Sequence, residues 1–553
     1  MTAAPRLDAA ARANALHRLG SERFDVLVVG GGITGIGVAL DAAARGLSVG
    51  LVERDDFASG TSSRSTKLIH GGLRYLENRD FRLVREALRE RHLLLSRIAP
   101  HLVQPVPFLL PLRSPRERAY FGAGVALYDA LGGRARAVPR HRHLGRGATR
   151  AAAPALRDEA TAGAIRYFDA QMDDARYALM LLRTAVAHGV CAASRTRVVG
   201  FVGQESVEGV WLEDVESGIE FEARARVTIV AAGVWSRELE RLAGIAQPIS
   251  IRASKGVHIV VPHDRLELQD ALIIRTERSV LLVVPWNGHW LIGTTDTPFT
   301  TAFDRPTATS ADVSYLLERL NAVLRRPLSS TDVTSVFAGL RPLIGGGSTD
   351  TVKLSREHII RRPRPRLLTV AGGKYTTYRV MAADTVDAAA VELGLRVGKS
   401  RTDTMPLVGA DDLDEARRTL HRSGLPPATR ERLLRRYGGL ATEVVATAPS
   451  SSESLPGAAG YLRAEAAYAV THEGARRLED VFARRTRIAI ETADAGLAAA
   501  AEVAELLRRE LGWSAERASE EVAEYRAWVA AERAAQSDPG LCQPTGPSVT
   551  LFT

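Results

Sequence analysis

Cysteine is almost absent from this sequence. Its 553 residues include two cysteines, Cys191 and Cys542, which lie far apart in the chain. Two such thiols support neither a disulfide framework nor a zinc site. The scarcity of cysteine therefore predicts a reducing, cytosolic setting.

Long apolar runs are absent as well. No stretch approaches the roughly twenty uninterrupted apolar residues that a membrane-spanning helix needs, and the most apolar ones, such as Val280 to Trp286, have the length of a strand. Residues 1–22 contain Arg6, Arg12 and Arg18 and no continuous apolar region, so they do not read as a secretory signal. We expect a surface helix or arm there, and any membrane contact to be peripheral.

The composition, 45% hydrophobic and 25% charged, is that of an ordinary globular protein, and the length predicts at least two domains. A net charge of +9 and a pI near 9.7 suit an anionic partner: nucleic acid, an acidic membrane surface or a phosphorylated metabolite. A general bias of the composition towards arginine accounts for most of this excess of positive charge. Nucleic acid is not an expected partner, because no nucleic-acid motif or aromatic–basic platform is present.

Metal binding is not expected either. The basic segment 131–155 contains His141 and His143, but neither is paired with a cysteine or carboxylate in the sequence. No metal site is therefore predicted.

The strongest motif lies in residues 24–55. An apolar run, Val26 to Val29, meets Gly30-x-Gly32-x-x-Gly35, a helical pattern follows, and a second apolar run ends in Glu53. This order predicts a strand, a glycine turn that admits a pyrophosphate at a helix N-terminus, and an acid that binds a ribose diol. The alternative, a turn that needs glycine for backbone reasons only, leaves Glu53 unexplained. An acid argues against a 2′-phosphate, so the cofactor is FAD or NAD.

Three later stretches could also approach a cofactor. Hydroxyls from Ser59 to Ser65 precede a Gly71-Gly72 pair, an apolar strand ends on Gly233, and Gly372-Gly373 precedes Lys374 and a predicted helix. Glycine allows close backbone approach, and a helix N-terminus offers donors to an anion or a carbonyl.

From about Gly398 to Arg533 the sequence is rich in Arg, Ala, Leu and Glu with helical periodicity. This pattern predicts a separate helical domain. Its role stays open: dimerisation, membrane docking and access of a partner molecule all fit. Residues 536–553 are expected to form a flexible tail.

Five strings together resemble the FAD-dependent glycerol-3-phosphate dehydrogenases. They are VVGGGITGIGVALDAAARGLSVGLVERDDFASGTSSRSTKLIHGGLRYLE, SKGVHIVVP, VVPWNGHWLIGTTD, FAGLRPL and TVAGGKYTTYR, and the C-terminal RRLEDVFARRTRIAIE agrees with them. The likeness runs from about Phe24 to about Ala530 and is weak over residues 131 to 160. KLIHGGLRYLE and GGKYTTYR are far more specific than a generic dinucleotide turn.

The resemblance implies an α/β protein with a Rossmann-like FAD-binding domain of the glycine-oxidase and D-amino-acid-oxidase type. The FAD-binding domain within residues 23–396 is discontinuous (about 23–95, 160–248 and 335–396). A β-rich α+β substrate domain (about 96–159 and 249–334) is inserted into it, and an α-helical domain (397–535) is appended.

The implied reaction is oxidation of sn-glycerol 3-phosphate to dihydroxyacetone phosphate, with hydride transfer to flavin N5 and electrons passed to a membrane quinone. Such enzymes lie peripherally on the inner face of the cytoplasmic membrane and are often homodimers.

The resemblance also assigns residues. The expected catalytic residues are His258, Arg341 and Lys374, and the expected substrate-binding residues are Arg74, Tyr75, His258, Arg341, Arg356, Lys374 and Thr377. The expected cofactor-binding residues are Gly30, Gly31, Gly32, Ile33, Thr34, Gly35, Glu53, Arg54, Thr61, Ser62, Ser63, Lys67, Leu68, His70, Gly71, Val198, Ala232, Gly233, Gly372, Gly373, Lys374, Thr376 and Thr377.

A phosphate dianion needs guanidinium and ammonium groups, which suits Arg74, Arg341 and Lys374. His258 is the expected proton acceptor, because imidazole titrates near neutral pH whereas arginine stays protonated. The alternative for His258 is a core histidine or a substrate hydrogen-bonder, and His70 is a second candidate for the base.

Two other functions stay open: an oxidase of the same fold that reduces oxygen, and a non-catalytic flavoprotein that binds a membrane or a partner. An amino-acid oxidase fits less well, because the surplus of cations suits phosphate better.

Overall fold

The computed structural model describes residues 4–77, 79–133, 137–276, 280–300, 303–345, 357–447 and 453–537. The strands, in chain order, are β1 (Arg23–Val29), β2 (Val49–Val52), β3 (Leu68–Ile69), β4 (Gln104–Leu112), β5 (Arg142–Leu144), β6 (Gly163–Gln171), β7 (Cys191–Ala193), β8 (Thr196–Val202), β9 (Gly209–Asp214), β10 (Glu220–Val230), β11 (Ile251–Pro262), β12 (Ala271–Arg275), β13 (Val280–Trp286), β14 (His289–Gly293), β15 (Thr297–Phe299), β16 (Ser335–Ile344), β17 (His358–Arg364), β18 (Leu367–Gly372), β19 (Ser454–Leu455) and β20 (Ala458–Leu462).

The α-helices are α1 (Ala9–Ser21), α2 (Ile33–Ala44), α3 (Phe81–Leu93), α4 (Pro115–Leu131), α5 (Arg146–Ala152), α6 (Asp174–Ala187), α7 (Ser236–Leu242), α8 (Ser310–Asn321), α9 (Tyr378–Leu393), α10 (Leu413–His421), α11 (Pro427–Tyr437), α12 (Ala441–Ala446), α13 (Arg463–Thr471), α14 (Ile488–Glu491), α15 (Ala500–Leu511) and α16 (Ala515–Ala535). No helix in the described ranges is both long enough and apolar enough to cross a membrane.

The first sheet has the order β17-β18-β10-β1-β2-β7, and β9 and β8 extend it from β10. Strand β1 lies parallel to β10 and β2, and β18 lies parallel to β10. The apolar run of β1 is fully buried, which explains why it shows no polar alternation. Helices α2, α6 and α9 share one core with this sheet. The carboxyl ends of β1, β2, β10 and β18 therefore meet at one edge, where this class of sheet binds its ligands.

The second sheet has the order β15-β11-β14-β13-β12-β4-β6-β3, with β16 paired to β11 and β5 to β6. Strands β3, β6 and β16 belong to it, although residues 68–69, 163–171 and 335–344 fall within the predicted FAD-binding segments. β6 pairs with β4 along its whole length, from Gln104–Gln171 to Leu112–Gly163. The chain passes from one sheet to the other several times, and composition does not mark these crossings.

The N-terminal helix α1 is only partly a surface element. Its residues Ala15 and Leu19 are buried in a core that they share with the first sheet. The Arg12 guanidinium pairs with Asp214 at 2.5 Å. The segment is therefore fixed to the sheet rather than a free arm.

The C-terminal part is mainly helical, as predicted, and contains the small hairpin β19–β20. Buried ion pairs hold it against the rest of the chain. Arg176 of α6 and Glu473 pair with both side chains fully buried, and Asp56 pairs with Arg484 and Arg485. From residue 538 onward the predicted tail lies outside the described residues.

We predict that Glu473→Ala destabilises the protein by about 3–5 kcal/mol, because it leaves the buried Arg176 guanidinium without its carboxylate. Chemical unfolding, followed by the loss of helical circular dichroism, measures this. Glu431→Ala removes the exposed pair with Arg435 and is the control, with a cost below about 1 kcal/mol. Equal costs for the two variants would contradict the structural role given to Glu473.

Candidate active site

A cavity of about 720 Å³ lies between the two sheets. From the first sheet it is lined by the residues that follow β1, β2, β10 and β18, among them Gly30, Glu53 and Ala232. From the second sheet it is lined by residues of β11 and β16, among them His258 and Arg341. The predicted nucleotide motif and the predicted substrate residues His258 and Arg341 thus line one cavity.

The glycine turn after β1 has no room for side chains. Gly30 has a φ of +117°, and a Cβ there would lie 2.6 Å from the carbonyl oxygen of Ala231. A Cβ on Gly35 would lie 1.9 Å from the carbonyl oxygen of Gly30. Helix α2 begins directly after Gly32, which provides no side-chain cap, and the Ile33 amide donates to Ser62 Oγ at 2.9 Å. Gly30 and Gly35 therefore allow the strands and α2 to pack closely, which leaves the positive end of α2 at the cavity.

Glu53 lies at the end of β2, as the spacing predicts. Its carboxylate accepts hydrogen bonds from the amides of Gly31 at 2.7 Å and Asp55 at 2.9 Å. Burial raises the pKa of Glu53 to about 7. Arg54 also lines the cavity, and its guanidinium pairs with Asp304 at 2.7 Å and lies over the Trp235 ring.

The predicted cofactor residues from Thr61 to Gly71 divide into two groups. Those that line the cavity are Thr61, Ser62, Leu68 and His70. Those that are not among its lining residues are Ser63, Lys67 and Gly71. Lys67 is fully buried and its ammonium pairs with Asp174 at 2.8 Å, so this side chain belongs to an internal ion pair; a contact of its backbone with the flavin stays a prediction.

Residues from other strands of the first sheet also line the cavity. Val198, Ala232 and Gly233 line the cavity, as do Gly372, Gly373 and Thr376. Gly372 and Gly373 both have a φ of +78°, and a Cβ on Gly373 would lie 2.4 Å from the sulfur of Met381. Thr377 is not among the lining residues, and its hydroxyl donates to the Lys374 carbonyl at 3.5 Å.

Of the remaining motif residues, Gly32, Ile33 and Thr34 line the cavity, whereas Gly31 and Gly35 are not among its lining residues.

Lys374 and Arg341 are both held by neighbouring groups, and the Arg341 guanidinium also lies 3.7 Å from the carboxylate of Asp296. The Lys374 ammonium lies 3.7 Å from the centroid of the Tyr75 ring, and both residues line the cavity. The Arg341 guanidinium donates to Thr294 Oγ1 at 3.0 Å and to the Thr295 carbonyl at 3.2 Å. These contacts fix the direction of both side chains, as recognition of a planar or tetrahedral anion requires.

His258 lies on β11 with 1% of its surface exposed, yet it lines the cavity. Its ring stacks on Phe337 with the centroids 4.9 Å apart, and its Nε2 lies 2.9 Å from Thr66 Oγ1. Burial, followed by the charges of Arg341 and Lys67, holds the pKa of His258 well below its ordinary range. The imidazole is therefore neutral at neutral pH.

Two predicted substrate residues cannot be placed. The backbone of Arg74 lies in the helical turn Leu73–Leu76, but its side chain lies outside the described part of the structure. Arg356 also lies outside the described residues.

Sequence reasoning missed residues that contact the predicted ones. Thr66 bonds to His258 but is one hydroxyl in a serine-rich run, and nothing local distinguishes it. Phe337 stands four residues before Arg341 on β16, so strand alternation places both on one face, and this signal was available. His141 does pair with a carboxylate, Asp129, although among the described residues no cluster of three or more possible ligands could hold a metal.

Comparison with known proteins agrees with this geometry. Residues 25–388 match the family model described as FAD dependent oxidoreductase, and residues 400–518 match the C-terminal domain of alpha-glycerophosphate oxidase. The chain is 49% identical over 545 residues to glycerol-3-phosphate dehydrogenase 2 of Mycobacterium tuberculosis, covering 97% of this chain and 93% of that one.

Two solved structures are similar. Glycerol-3-phosphate dehydrogenase from Bacillus halodurans, complexed with FAD, has a TM-score of 0.77 and 30% identity, covering 96% of this chain and 99% of that one. Glycine oxidase from Geobacillus kaustophilus has a TM-score of 0.51 and 20% identity, covering 70% of this chain and 98% of that one, and supports the fold alone. The predicted fold class is confirmed, and the chain belongs to the FAD-dependent glycerol-3-phosphate dehydrogenase family of FAD dependent oxidoreductases.

Proposed function

We propose that this chain oxidises sn-glycerol 3-phosphate to dihydroxyacetone phosphate with bound FAD and passes the electrons to a membrane quinone. One observation carries the proposal: a single cavity is lined by the nucleotide-binding turn, by Arg341 and Lys374, and by the neutral imidazole of His258. The names of the relatives at 49% identity agree with the substrate.

The residues around the cavity fit FAD. The N-terminus of α2 offers donors to a pyrophosphate, Glu53 retains lone pairs for a ribose diol, and the positive-φ glycines at 372 and 373 allow close approach of a planar ring. When bound, FAD accepts the hydride from the carbinol carbon of the substrate. The roles of the remaining residues are to hold the substrate and to take up its proton.

Arg341 and Lys374 are proposed to bind the phosphate, together with Arg74, Tyr75, Arg356 and Thr377. Cations held in a fixed direction stabilise a bound dianion most strongly where little water is present. Arg341 is held in this way by two hydrogen bonds. The Lys374 ammonium is a compact charge that lies against the Tyr75 ring. The phosphate then fixes where the carbinol carbon lies.

His258 is proposed to accept the hydroxyl proton. It is neutral and buried, and it lines the same cavity as Arg341. A neutral imidazole can accept a proton, whereas an arginine cannot give up its own.

The quinone, the inner face of the cytoplasmic membrane and a homodimer are proposed from the family resemblance. Helices α3 and α4 pack together and leave Phe81, Tyr120 and Leu127 exposed among arginines, which suits a peripheral membrane contact. Oxygen is the second candidate acceptor, because the family model for residues 400–518 is described from an oxidase.

We predict that glycerol 3-phosphate added without oxygen bleaches the flavin band at roughly 450 nm, because the substrate reduces the bound cofactor. Glycerol at the same concentration serves as the control and leaves the band largely intact, since it lacks the phosphate. Reoxidation by a soluble quinone analogue is expected to exceed reoxidation by oxygen. Binding without bleaching would instead support a non-catalytic flavoprotein, and fast reoxidation by oxygen alone would support an oxidase.

We predict that Lys374→Met and Arg341→Lys each raise the KM for glycerol 3-phosphate by about tenfold to a hundredfold, since each removes a strong charged hydrogen bond to phosphate. Steady-state kinetics measures the change. Arg362→Met, which removes an exposed arginine of β17 that pairs with Glu392, is the matched control and keeps KM within about twofold. Unchanged KM in both cavity variants would remove these residues from the phosphate site.

We predict that FAD binds more tightly as pH rises towards 7. In the FAD-free site the pKa of Glu53 is about 7, so below this pH the carboxyl is protonated. Ribose hydroxyls donate to the carboxylate, so binding releases a proton and weakens by up to about tenfold per pH unit as pH falls below 7. Flavin fluorescence on dissociation measures the affinity. Glu53→Gln should bind FAD more weakly and with an affinity that does not change with pH. If the variant kept the pH dependence of the wild type, Glu53 would be excluded as its source.

A further inference from the structure

The orientation of His258 depends on one side-chain hydrogen bond. Thr66 Oγ1 lies 2.9 Å from Nε2, and among the described residues Nδ1 is buried and has no hydrogen-bond partner. In a neutral imidazole one nitrogen donates and the other accepts, and the Thr66 hydroxyl can take either role towards Nε2. Thr66 therefore acts on the rotation of the ring in whichever proton arrangement the ring adopts.

Thr66 is held in turn by its neighbours in sequence. The amide and the hydroxyl of Ser65 both donate to Asp174 Oδ2, at 2.9 and 2.6 Å. Lys67 has a φ of 61°, a left-handed conformation that is rare for lysine, and its ammonium pairs with Asp174 Oδ1 at 2.8 Å. Both neighbours of Thr66 are therefore anchored on one buried carboxylate.

That carboxylate is also bound by the C-terminal domain. Arg487, which follows the π-helical turn Asp480–Thr486, donates to Asp174, to Asp173 Oδ1 at 2.8 Å and to the Ser63 carbonyl at 3.2 Å. Lys67 offers a second connection, since its ammonium lies 5.2 Å from the centroid of Phe337, the ring on which His258 stacks. A continuous series of contacts thus leads from the helical domain to the imidazole.

We infer that Thr66 is a positioning residue that fixes the His258 ring, and that the helical C-terminal domain holds Thr66 in place through Arg487 and Asp174. This inference rests on the proposed function, in which His258 takes the substrate proton. It gives the helical domain a role in the reaction that its sequence does not reveal: the domain keeps the loop from Ser63 to Lys67 in the one conformation that aligns the base.

The first test compares Thr66→Val, which keeps the shape and removes the hydroxyl, with Thr66→Ser, which keeps the hydroxyl. Anaerobic stopped-flow measures the rate of flavin reduction at saturating glycerol 3-phosphate. We expect Thr66→Val to slow reduction by about tenfold to a hundredfold with half-saturation changed by less than about threefold, because alignment is lost and phosphate binding is kept. Thr66→Ser is expected to stay within about threefold of the wild type.

Thr149→Val in α5 is the matched control, since it removes a buried hydroxyl that bonds only locally, and we expect it to reduce flavin at the wild-type rate. The inference would be overturned if Thr66→Val reduced its flavin at the wild-type rate, or if Thr66→Ser lost as much of that rate as Thr66→Val. If the wild type itself fails to reduce its flavin, the proposed function fails; if the wild type is active and Thr66→Val equals it, only the positioning role fails.

The second test addresses the link to the helical domain by a double-mutant cycle. Arg487→Met is expected to slow flavin reduction in the parent protein and to add less than about twofold in the Thr66→Val background, because the same alignment is already lost. If the two reductions in the rate multiply fully in the double variant, the link is overturned. Where Arg487→Met does not fold, Arg487→Lys replaces it, since it keeps the positive charge and removes the guanidinium that reaches both Asp173 and Asp174.

Discussion

The structure depends on a buried cluster of charges at the N-terminus of α6. Asp173 and Asp174 begin this helix, where carboxylates are favoured by the aligned peptide dipoles, and they pair with Lys67, Arg436 and Arg487. Although burial raises the pKa of Asp173, the guanidinium groups of Arg487 and Arg436 hold it well below its ordinary range. Charges removed from water in this way are tolerable only when all of them are paired. Because the partners come from three distant parts of the chain, the cluster fixes those parts relative to one another.

This constraint explains why the helical domain is not an independent appendage. Its arginines at 484, 485 and 487 are buried against carboxylates of residues 56, 173 and 174, and not against solvent. The loop between β2 and β3 lies between these contacts and the cavity. Contacts on the side of the loop that faces away from the cavity therefore fix its conformation. The part of the cavity lining that this loop provides thus depends on residues more than 300 positions away in sequence.

Local patterns made part of the site predictable. The strand, glycine turn, helix and acid from Val26 to Glu53 lie within one short βαβ unit, so spacing alone placed Glu53 beside the turn. Motif resemblance placed His258, Arg341 and Lys374 on one cavity. Thr66 was missed because its partner His258 lies 192 residues away and nothing near Thr66 marks the contact. The ion pair of Lys67 was not foreseen for the same reason, since its partner Asp174 lies 107 residues away in sequence.

The electrostatics of the cavity suit an anionic substrate in a further way. Burial and the charges of Arg341 and Lys67 hold the pKa of His258 low, which keeps the imidazole neutral but makes it a weak base. A phosphate dianion placed against Arg341 offsets the positive charge that disfavours the imidazolium. In a site of low dielectric such compensation acts over several ångströms, so the bound substrate raises the proton affinity of the group that must accept its own proton. Within the proposed function, the phosphate therefore does more than anchor the molecule: its charge makes His258 a stronger base only while the substrate occupies the cavity.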